Sequence, residues 1–386
     1  MTTVFLYDDA RAREFEPFAS TRPISELVAG TTLIRQRWLA ALGADEARFL
    51  AGDRHANFDE PGAIAATGKI PTGAIIANAR FIPALPAEPD KAGRRAAGCS
   101  MWRNGAQLNA IRVREPVDVA RFADGTLTLD SLHVGTGGIA TLDGWWHEEV
   151  WDFIRHLADQ LTRDIEQVSA NVGQGPVLDH VTVLGKNRVA IVEDAVVEPD
   201  VVLDASAGPI YIGARTHVRA FTRIVGPCFI GDDVQVMGGD VSVCSIGAVS
   251  KVRGEISNTI LLGHSNKGHD GFVGHSYLGR WVNLGASTVT SNLKNTYGNV
   301  ALWTPTGLRD TGMQFLGTLF GDHVKTGIGL RLTTGTVLGA GANVYGNMPP
   351  KAVGPFSWGD AAPYSVYHAD KFLVAAERMM SRRHVE

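Results

Sequence analysis

A six-residue repeat in the second half of the chain constrains its fold more than any other sequence feature. From about residue 189, apolar or threonine side chains recur at intervals of six, often followed by glycine. A helix would need a period of 3.6 and a lone strand a period of 2, so this spacing predicts a β-solenoid of stacked strands and turns. Each hexad should turn one side chain inward and place glycine or another small or polar residue at the corner. The residues in register are Ile212, Val218, Ile224, Ile230 and Val236, then Phe272, Leu278, Leu284 and Thr290, and finally Phe320, Thr326, Leu332, Leu338 and Val344.

The first half of the chain has the pattern of a mixed α/β domain. A short apolar strand is predicted at Val4–Tyr7, followed by a helix from about Thr31 to Leu42. Further strands are predicted at Ala74–Ala77 and Leu108–Val113. The prolines at 83, 86 and 89 and the polar stretch DKAGRR after them predict an exposed loop.

Two more helices complete the predicted organisation into three parts. A connector helix from about Trp146 should end toward Asn171 and Gly173, and a C-terminal helix should start near Pro363. The predicted parts are an α/β domain at 1–170 with the connector, the solenoid at 171–350, and a tail with its helix at 351–386. The expected apolar stripes are Trp151, Ile154, Ala158, Leu161, Ile165 and Val168 in the connector, and Val366, Ala369, Leu373, Ala376 and Met380 in the last helix.

Charge and cysteine content exclude several classes of protein. With 386 residues and a formal charge of −4, the chain lacks the basic field that drives binding to nucleic acids or anionic membranes. Three cysteines without Cys-x-x-Cys spacing indicate neither a disulfide framework nor a thiolate zinc site. Asp8 and Asp9 come before any apolar stretch long enough for a signal peptide, so a cytoplasmic protein is expected.

The hexads and several motifs resemble known families. The repeat is similar to the hexapeptide-repeat acyltransferases, which fold as a left-handed parallel β-helix and usually form trimers with acyl-CoA between subunits. More narrowly, the chain resembles a shorter bacterial variant of the bifunctional N-acetylglucosamine-1-phosphate uridylyltransferase/glucosamine-1-phosphate N-acetyltransferase family. The segments that carry this resemblance are Thr21–Trp38, His269–Gly274, Val282–Ala286, Ser291–Asn299 and Phe356–Gly359.

The resemblance implies a fold, an activity and partners. It implies a degenerate nucleotidyltransferase-like α/β domain before the β-helix, and a homotrimer. The implied activity is acetyl-CoA-dependent N-acetylation of an amino-sugar phosphate such as glucosamine 1-phosphate. Uridylyl transfer from UTP, with Mg²⁺ in the first domain, would then form UDP-N-acetylglucosamine, a cell-wall precursor.

The resemblance also implies a general base among closely spaced histidines. In the family, the base is followed by two residues, an aromatic, an aliphatic and glycine, and an asparagine lies fourteen residues on. His269 has this pattern and Asn283 has this spacing, whereas His275 is eight residues from Asn283, so His269 is preferred over His275. A histidine usually titrates near pH ~6.5, so either would be available to accept a proton at neutral pH.

Further site residues follow from the same alignment. Asn283 and Asn292 match positions that hold the acceptor sugar, and Ala286 and Ala340 match positions near acetyl-CoA. The family usually has tyrosine at the position of Phe272, so acceptor contacts there differ. The cations expected near the phosphates are Lys267, Arg280 and Lys294.

The first domain departs from the nucleotidyltransferase pattern. The expected glycine-rich triphosphate loop is replaced by LYDDARARE, and Ile24 stands where a catalytic lysine is expected. Asp8 or Asp9 would hold Mg²⁺, and Arg22 would replace the missing cation. The segment Asn78-Ala79-Arg80 occupies a strand end where the family offers a metal-binding aspartate, and Asp53 is a weak substitute for it.

Three alternatives remain open from the sequence. The chain would be a sugar nucleotidyltransferase without acetyl transfer, a zinc-dependent carbonic-anhydrase-like hexapeptide protein, or a non-catalytic scaffold that binds nucleotide sugars. The zinc alternative rests on the His-x4-His spacing of His264 and His269. The scaffold alternative rests on the altered first loop and on Phe272.

Overall fold

In the computed structural model, the chain divides into two compact units, Met1–Asp152 and Phe153–Glu386. The structure describes residues 2–50, 52–170, 172, 180–383 and 385. The predicted end of the connector helix at Asn171 and Gly173 lies outside these residues.

The first unit is built on a six-stranded mixed sheet, which confirms the predicted α/β class. The strand Thr3–Tyr7 lies next to the edge strand Glu46–Leu50 and pairs in parallel with a strand on each side. Its four residues from Val4 to Tyr7 are buried because both faces of the sheet are covered. The strand order across the sheet is Gly138–Thr141, Cys99–Asn104, Gln107–Arg112, Ile75–Asn78, Thr3–Tyr7, Glu46–Leu50.

Smaller elements surround this sheet. The helix Ile34–Leu42 ends at Gly43, whose φ of 56° is the left-handed conformation that glycine adopts readily. The two-stranded pairs are Val28–Ala29 with Thr32–Leu33, Val117–Asp118 with Lys69–Ile70, and Gly144–Trp146 with Phe81–Pro83. The 3₁₀ helices are Ala12–Glu14, Ile24–Glu26, Gly52–His55, Val119–Phe122 and Leu129–Ser131.

The predicted exposed loop after Pro83 is wrong, because a helix spans Pro89–Ala97. Pro89 occupies the first turn, where its missing N–H would have no partner inside the helix in any case. Ala92 and Ala96 are buried and give the helix an inward face. Pro89 therefore marks the start of a helix and does not interrupt one.

The second unit is a parallel β-solenoid, as the hexads predict. The strands of its coils pair in parallel with the strand one coil away, for example Ile210–Ile212 with Cys228–Ile230. One sheet of nine strands runs along the solenoid: Val189–Ile191, Ile210–Ile212, Cys228–Ile230, Ser245–Ile246, Ile260–Leu261, Tyr277–Leu278, Thr318–Phe320, Thr336–Leu338 and Ala352–Val353.

The remaining strands form the other faces of the coils. One set is Thr182–Gly185, Val196–Val197, Val202–Ala205, His217–Val218, Thr222–Val225, Gln235–Ser242, Lys251–Ser257, Asn266–Lys267 and Phe272–Gly274. The rest are Val289–Thr290, Lys325–Thr326, Arg331–Leu332, Asn343–Val344, Ser357–Gly359 and Ser365–Val366, with a hairpin of Ala301–Thr304 and Gly307–Asp310.

The hexad side chains fill the interior, with one exception. All of them are buried except Phe272, which is only half-buried. At that coil Val273 takes the interior position, since it aligns with the buried Ile256 of the preceding coil. The six-residue spacing is therefore one residue out of register at Phe272, and its ring is left outside the core.

The corners differ from the expectation of small or polar residues. Every non-glycine residue with positive φ in the described part of the chain lies after residue 199, and several of these residues are bulky. Val243, Val249 and Trp281 adopt φ values of 53°, 61° and 62°. Stacking of each corner on the next coil outweighs the ordinary cost of this conformation.

The flanking helices are shorter than predicted. A one-turn helix spans Asp152–Arg155, and the connector proper spans Leu157–Val168. The C-terminal helix is Ala369–Ser381, because Ser365–Val366 is instead a strand paired with Ser357–Trp358. Leu373 is exposed, and Phe372 makes the ring contacts to Phe356 and His323. No described helix has the length and apolar character to span a bilayer.

Candidate functional site

A cavity of about 630 Å³ lies in the first unit at the carboxyl ends of its two neighbouring parallel strands. Tyr7 and Asn78 end these strands, and both line the cavity. Asp9, Arg80 and Trp146 also line it. In sheets of this kind, ligands bind outside the carboxyl ends of the strands, so the cavity is a candidate binding site.

Arg80 organises the charges of this cavity. Its guanidinium donates to Asp9 through Nε at 2.9 Å and Nη2 at 2.8 Å, and to Glu148 through Nη1 at 2.7 Å. Burial alone would raise the pKa of Asp9, but the hydrogen bonds and charge of Arg80 hold it below its ordinary value. Arg80 also lies over the ring of Trp146.

Arg11 is paired in the same way. Its Nε donates to the carbonyl of Glu148 at 2.6 Å, and its Nη2 bonds the Glu149 carboxylate. The two guanidinium groups of the cavity wall are thus matched by carboxylates. The sequence pattern predicts a strand end at Asn78–Arg80, but Glu148 and Trp146 lie far along the chain in a segment without a motif.

Asp8 and Arg22 do not line this cavity. Asp8 follows the strand one residue before Asp9 and accepts a hydrogen bond from the Ile24 amide at 3.1 Å. Arg22 forms a two-pronged ion pair with Glu60 and lies over Phe58. Of the three residues predicted for nucleotide or Mg²⁺, only Asp9 reaches the cavity. Among the described residues, no three His, Cys, Asp or Glu side chains are grouped to hold a metal.

Asp8 should make the stability of the protein depend on pH. It is fully buried, and burial raises its pKa to about 7, well above the value of about 3.9 in an unfolded chain. Stability from the protonated carboxyl is therefore complete below about pH 4 and lost as pH rises through 7. The free energy of unfolding of Asp8→Asn minus that of wild type should therefore be about 2 kcal/mol larger at pH 8 than at pH 5, because only wild type loses stability as Asp8 ionises. Thermal unfolding at both pH values measures this gain, and an equal difference at both would contradict it.

In the second unit, His269 and His275 lie at the two ends of one short strand, Phe272–Gly274. His269 is exposed and precedes the strand. His275 follows it and is half-buried, with a φ of 48°. The two predicted bases therefore occupy different corners of the solenoid.

His275 is part of a hydrogen-bonded cluster. The amide nitrogen of Asn292 lies 2.9 Å from His275 Nδ1, and Phe315 stacks on the ring at 5.3 Å. Burial lowers the pKa of His275 to about 4, so the ring is neutral at pH 7 and Nδ1 accepts from Asn292. Gly274 permits this packing, since a Cβ there would lie 2.3 Å from the ring of Phe272 and 2.8 Å from Asn292.

The other predicted site residues are distributed along the same coils. Asn283 Oδ1 accepts from the Asn266 amide at 2.8 Å. The backbone amide of Arg280 donates to Asp322 at 2.7 Å, and Lys294 donates to the carbonyl of Asn299. Ala286 comes three residues after the bridge residue Asn283, whereas Ala340 follows the strand Thr336–Leu338, so they lie at different corners.

Two predicted arrangements are not found in the second unit. Lys267 does not project toward solvent as a phosphate ligand, since it is only 3% exposed. His264 and His269 lie at opposite ends of the strand Asn266–Lys267, and His264 packs on Trp281 at 4.5 Å. The spacing His-x4-His therefore places these two histidines on separate corners.

Comparison with known proteins bears on both halves. Residues 4–172 match the family model described as sugar nucleotidyl transferase. The bifunctional protein GlmU of Thermotoga petrophila is 27% identical over 219 residues, covering 51% of this chain and 45% of that protein. The bifunctional sugar-1-phosphate nucleotidylyltransferase/acetyltransferase of Sulfurisphaera tokodaii is 27% identical over 208 residues, covering 53% and 45%. The chain thus spans about half the length of these curated relatives.

A solved structure gives a weaker likeness. A mutant of AntD, an N-acyltransferase from Bacillus cereus in complex with dTDP and coenzyme A, has a TM-score of 0.23 and 16% identity, covering 52% of this chain and 91% of that one. Likeness at this level bears on neither substrate nor mechanism. The sequence matches confirm the resemblance inferred from the motifs: the first half matches the sugar nucleotidyl transferase family, and about half of the chain is similar to the bifunctional GlmU-type transferases.

Proposed function

We propose that the second unit transfers the acetyl group of acetyl-CoA to the amine of an amino-sugar phosphate, with His269 as the general base. One contrast carries this proposal: His269 is exposed at its corner, whereas His275 is half-buried and its Nδ1 is engaged by Asn292. A base must reach the proton that it abstracts and must have a suitable pKa. Burial lowers the pKa of His275 to about 4, which disfavours it as a proton acceptor at neutral pH.

The proposed reaction is direct transfer without a covalent enzyme intermediate. The amine attacks the thioester carbonyl while His269 removes its proton, and the tetrahedral intermediate collapses to the amide and the CoA thiolate. The thiolate then takes up the proton. Cys228 and Cys244 are fully buried, and burial raises the pKa of the Cys228 thiol to about 12, so neither is suited to act as a nucleophile.

Residues near His269 and His275 would bind the acceptor. We assign Asn283 and Asn292 to the sugar and Arg280 and Lys294 to its phosphate, since amide and cationic groups suit hydroxyl and phosphate oxygens. The aromatic ring of Phe272 lies beside Asn292 and offers no hydroxyl, so the sugar would meet an apolar edge there. Acetyl-CoA would pass near the backbone of Ala286. Ala340, the second residue assigned to acetyl-CoA, would contact it from another corner of the solenoid.

A thiol-release assay tests the proposed function. Purified protein is incubated with acetyl-CoA and glucosamine 1-phosphate or other amino sugars, and free CoA thiol is followed over time. Acceptor-dependent release is expected with a phosphorylated amino sugar and not with the sugar lacking its amine. No release with any amino sugar would reject the acetyltransferase and favour the non-catalytic scaffold.

Uridylyl transfer is a second candidate function, supported by the family match of residues 4–172 and by the cavity in the first unit. Arg11 and Arg80 already pair with Glu149, Asp9 and Glu148, so little cationic charge is left for a triphosphate. The uridylyl transfer rate should therefore be low. Adding UTP and Mg²⁺ to the acetylated product and measuring pyrophosphate tests this, and rapid release would show that these ion pairs open for substrate.

We also propose that the protein is a homotrimer, which is the assembly implied by the resemblance. The solenoid presents faces with exposed apolar residues, among them Phe221 and Ile328 at corners. Closed threefold packing would bury such faces and bring corners of neighbouring copies together. Sedimentation at micromolar concentration should give three times the mass of the chain, and a monomer would refute the assembly.

A further inference from the structure

Lys267 occupies a position in the solenoid that the neighbouring coils fill with apolar side chains. In the strand register it aligns with Val252, which in turn aligns with Val236 one coil earlier. Both valines are fully buried in the solenoid core, and Lys267 is only 3% exposed. A lysine therefore stands in an interior column whose members on the two preceding coils are valines.

Burying an ammonium group costs free energy unless its donors are satisfied. Lys267 Nζ donates to the carbonyl of Arg253 at 2.8 Å and also to the carbonyl of His269. Burial lowers the pKa of Lys267 to about 8, against an opposing effect of Asp270. The desolvated cation is held by two carbonyls from consecutive coils at one corner of the solenoid.

That corner is the one that presents His269. It is flanked by Gly268 and Gly271, and Gly271 has a φ of 125° and would clash with the Thr288 carbonyl if it carried a Cβ. Glycines allow the chain to turn here but do not fix its conformation. An aliphatic residue at 267 would fill the core equally well, so packing alone does not account for lysine. A residue that breaks the apolar pattern of a core and costs desolvation free energy, as Lys267 does, is expected where function requires it.

We propose that Lys267 is a positioning residue for acetyl transfer, whose buried ammonium fixes the backbone at His269 so that the imidazole faces the acceptor amine. This proposal rests on the proposed function of His269. It replaces the expectation that Lys267 binds a substrate phosphate. Lys267 acts through the main chain and touches neither substrate.

Lys267→Met tests this role because methionine has a side chain of similar length to lysine but is apolar, so it suits the interior of the solenoid. The kcat for acetyl transfer should fall about 10- to 100-fold, because a small displacement of a catalytic group has an effect of this size. The KM values for both substrates should change less than about twofold, and the thermal midpoint should stay equal or rise. A purely structural lysine would instead lower the midpoint and leave kcat near the wild-type value.

Lys325→Met is the matched control. Lys325 lies two coils further along the solenoid, is half-buried, and donates to the carbonyl of His323 at 3.4 Å, away from the His269 corner. Its replacement should leave kcat unchanged. An unchanged kcat in Lys267→Met, or a rise only in the KM for the sugar phosphate, would overturn the positioning role while His269→Ala still reports on the base. Absence of thiol release by wild type would overturn the proposed function, and this proposal with it.

Discussion

Replacing His269 with alanine is expected to lower kcat for acetyl transfer by a factor of about 10² to 10⁴, the usual cost of losing a general base. Because His269 is exposed and its side chain fills no part of the core, the variant should fold and assemble normally. The thiol-release assay measures kcat, and sedimentation and thermal unfolding verify that the protein is intact. A rate within a few fold of wild type would remove His269 from the mechanism.

His275→Ala is the control for this prediction, since His275 is the other candidate in the same segment. It should mainly raise the KM for the amino sugar, because Asn292 loses the ring nitrogen that holds its amide. The effect on kcat should be much smaller than that of His269→Ala. The reverse ranking would make His275 the base, and no effect from either variant would end the assignment of acetyl transfer to this segment.

Replacing Arg80 with methionine is expected to destabilise the first unit by about 3 to 5 kcal/mol at neutral pH, because Asp9 would remain as a largely buried carboxylate without its counter-charge. The pKa of Asp9 is held low in the folded protein, so the stability from this pair is present above the ordinary carboxyl range. It is lost as pH falls through the folded value. The deficit of the variant should therefore shrink in acid, as measured by denaturant unfolding.

Two controls separate the buried pair from a general loss of charge. Asp9→Asn combined with Arg80→Met should recover much of the stability, since no buried carboxylate is then left unpaired. Glu148 also loses Arg80, but its side chain is partly exposed and stays near Arg11. Arg215→Met removes an arginine that pairs with Asp233 at the exposed surface and should have little effect. If the double variant were no more stable than Arg80→Met, packing of the Arg80 side chain over Trp146 would explain the loss instead.

The sequence predicted the solenoid well because its period is local and repeated. Each interior position from Ile212 to Val236 could be read from spacing alone, and all five are buried. At Phe272 the same rule failed by one residue, because Val273 continues the interior column and the aromatic ring is placed beside Asn292. Spacing does not reveal a shift of one residue when both candidates are apolar.

The candidate sites were less predictable than the fold because they depend on contacts between distant residues. The motif drew attention to His269 and His275, but only the structure shows that one is exposed and that Asn292 holds the other. Glu148 lies 68 residues from its partner Arg80, in a stretch without a recognisable pattern. The sequence predicts that Lys267 binds phosphate because it is a cation beside the histidine segment, and its interior register is visible only in the strand pairing.

The long excursion between Val289–Thr290 and Thr318–Phe320 leaves the stacking of the coils undisturbed. Tyr277 and Leu278 pair in parallel with Leu319 and Phe320, which is the same pairing that joins the other coils of this sheet. Stability in such an array comes from each coil meeting its neighbours, so a corner can lengthen without disturbing the axis. The hairpin Ala301–Thr304 and Gly307–Asp310 can thus diverge in sequence while Asn292 and Leu316, joined at its base, stay fixed. The length and sequence of this excursion are in this way open to change during evolution while the axis of the solenoid stays rigid.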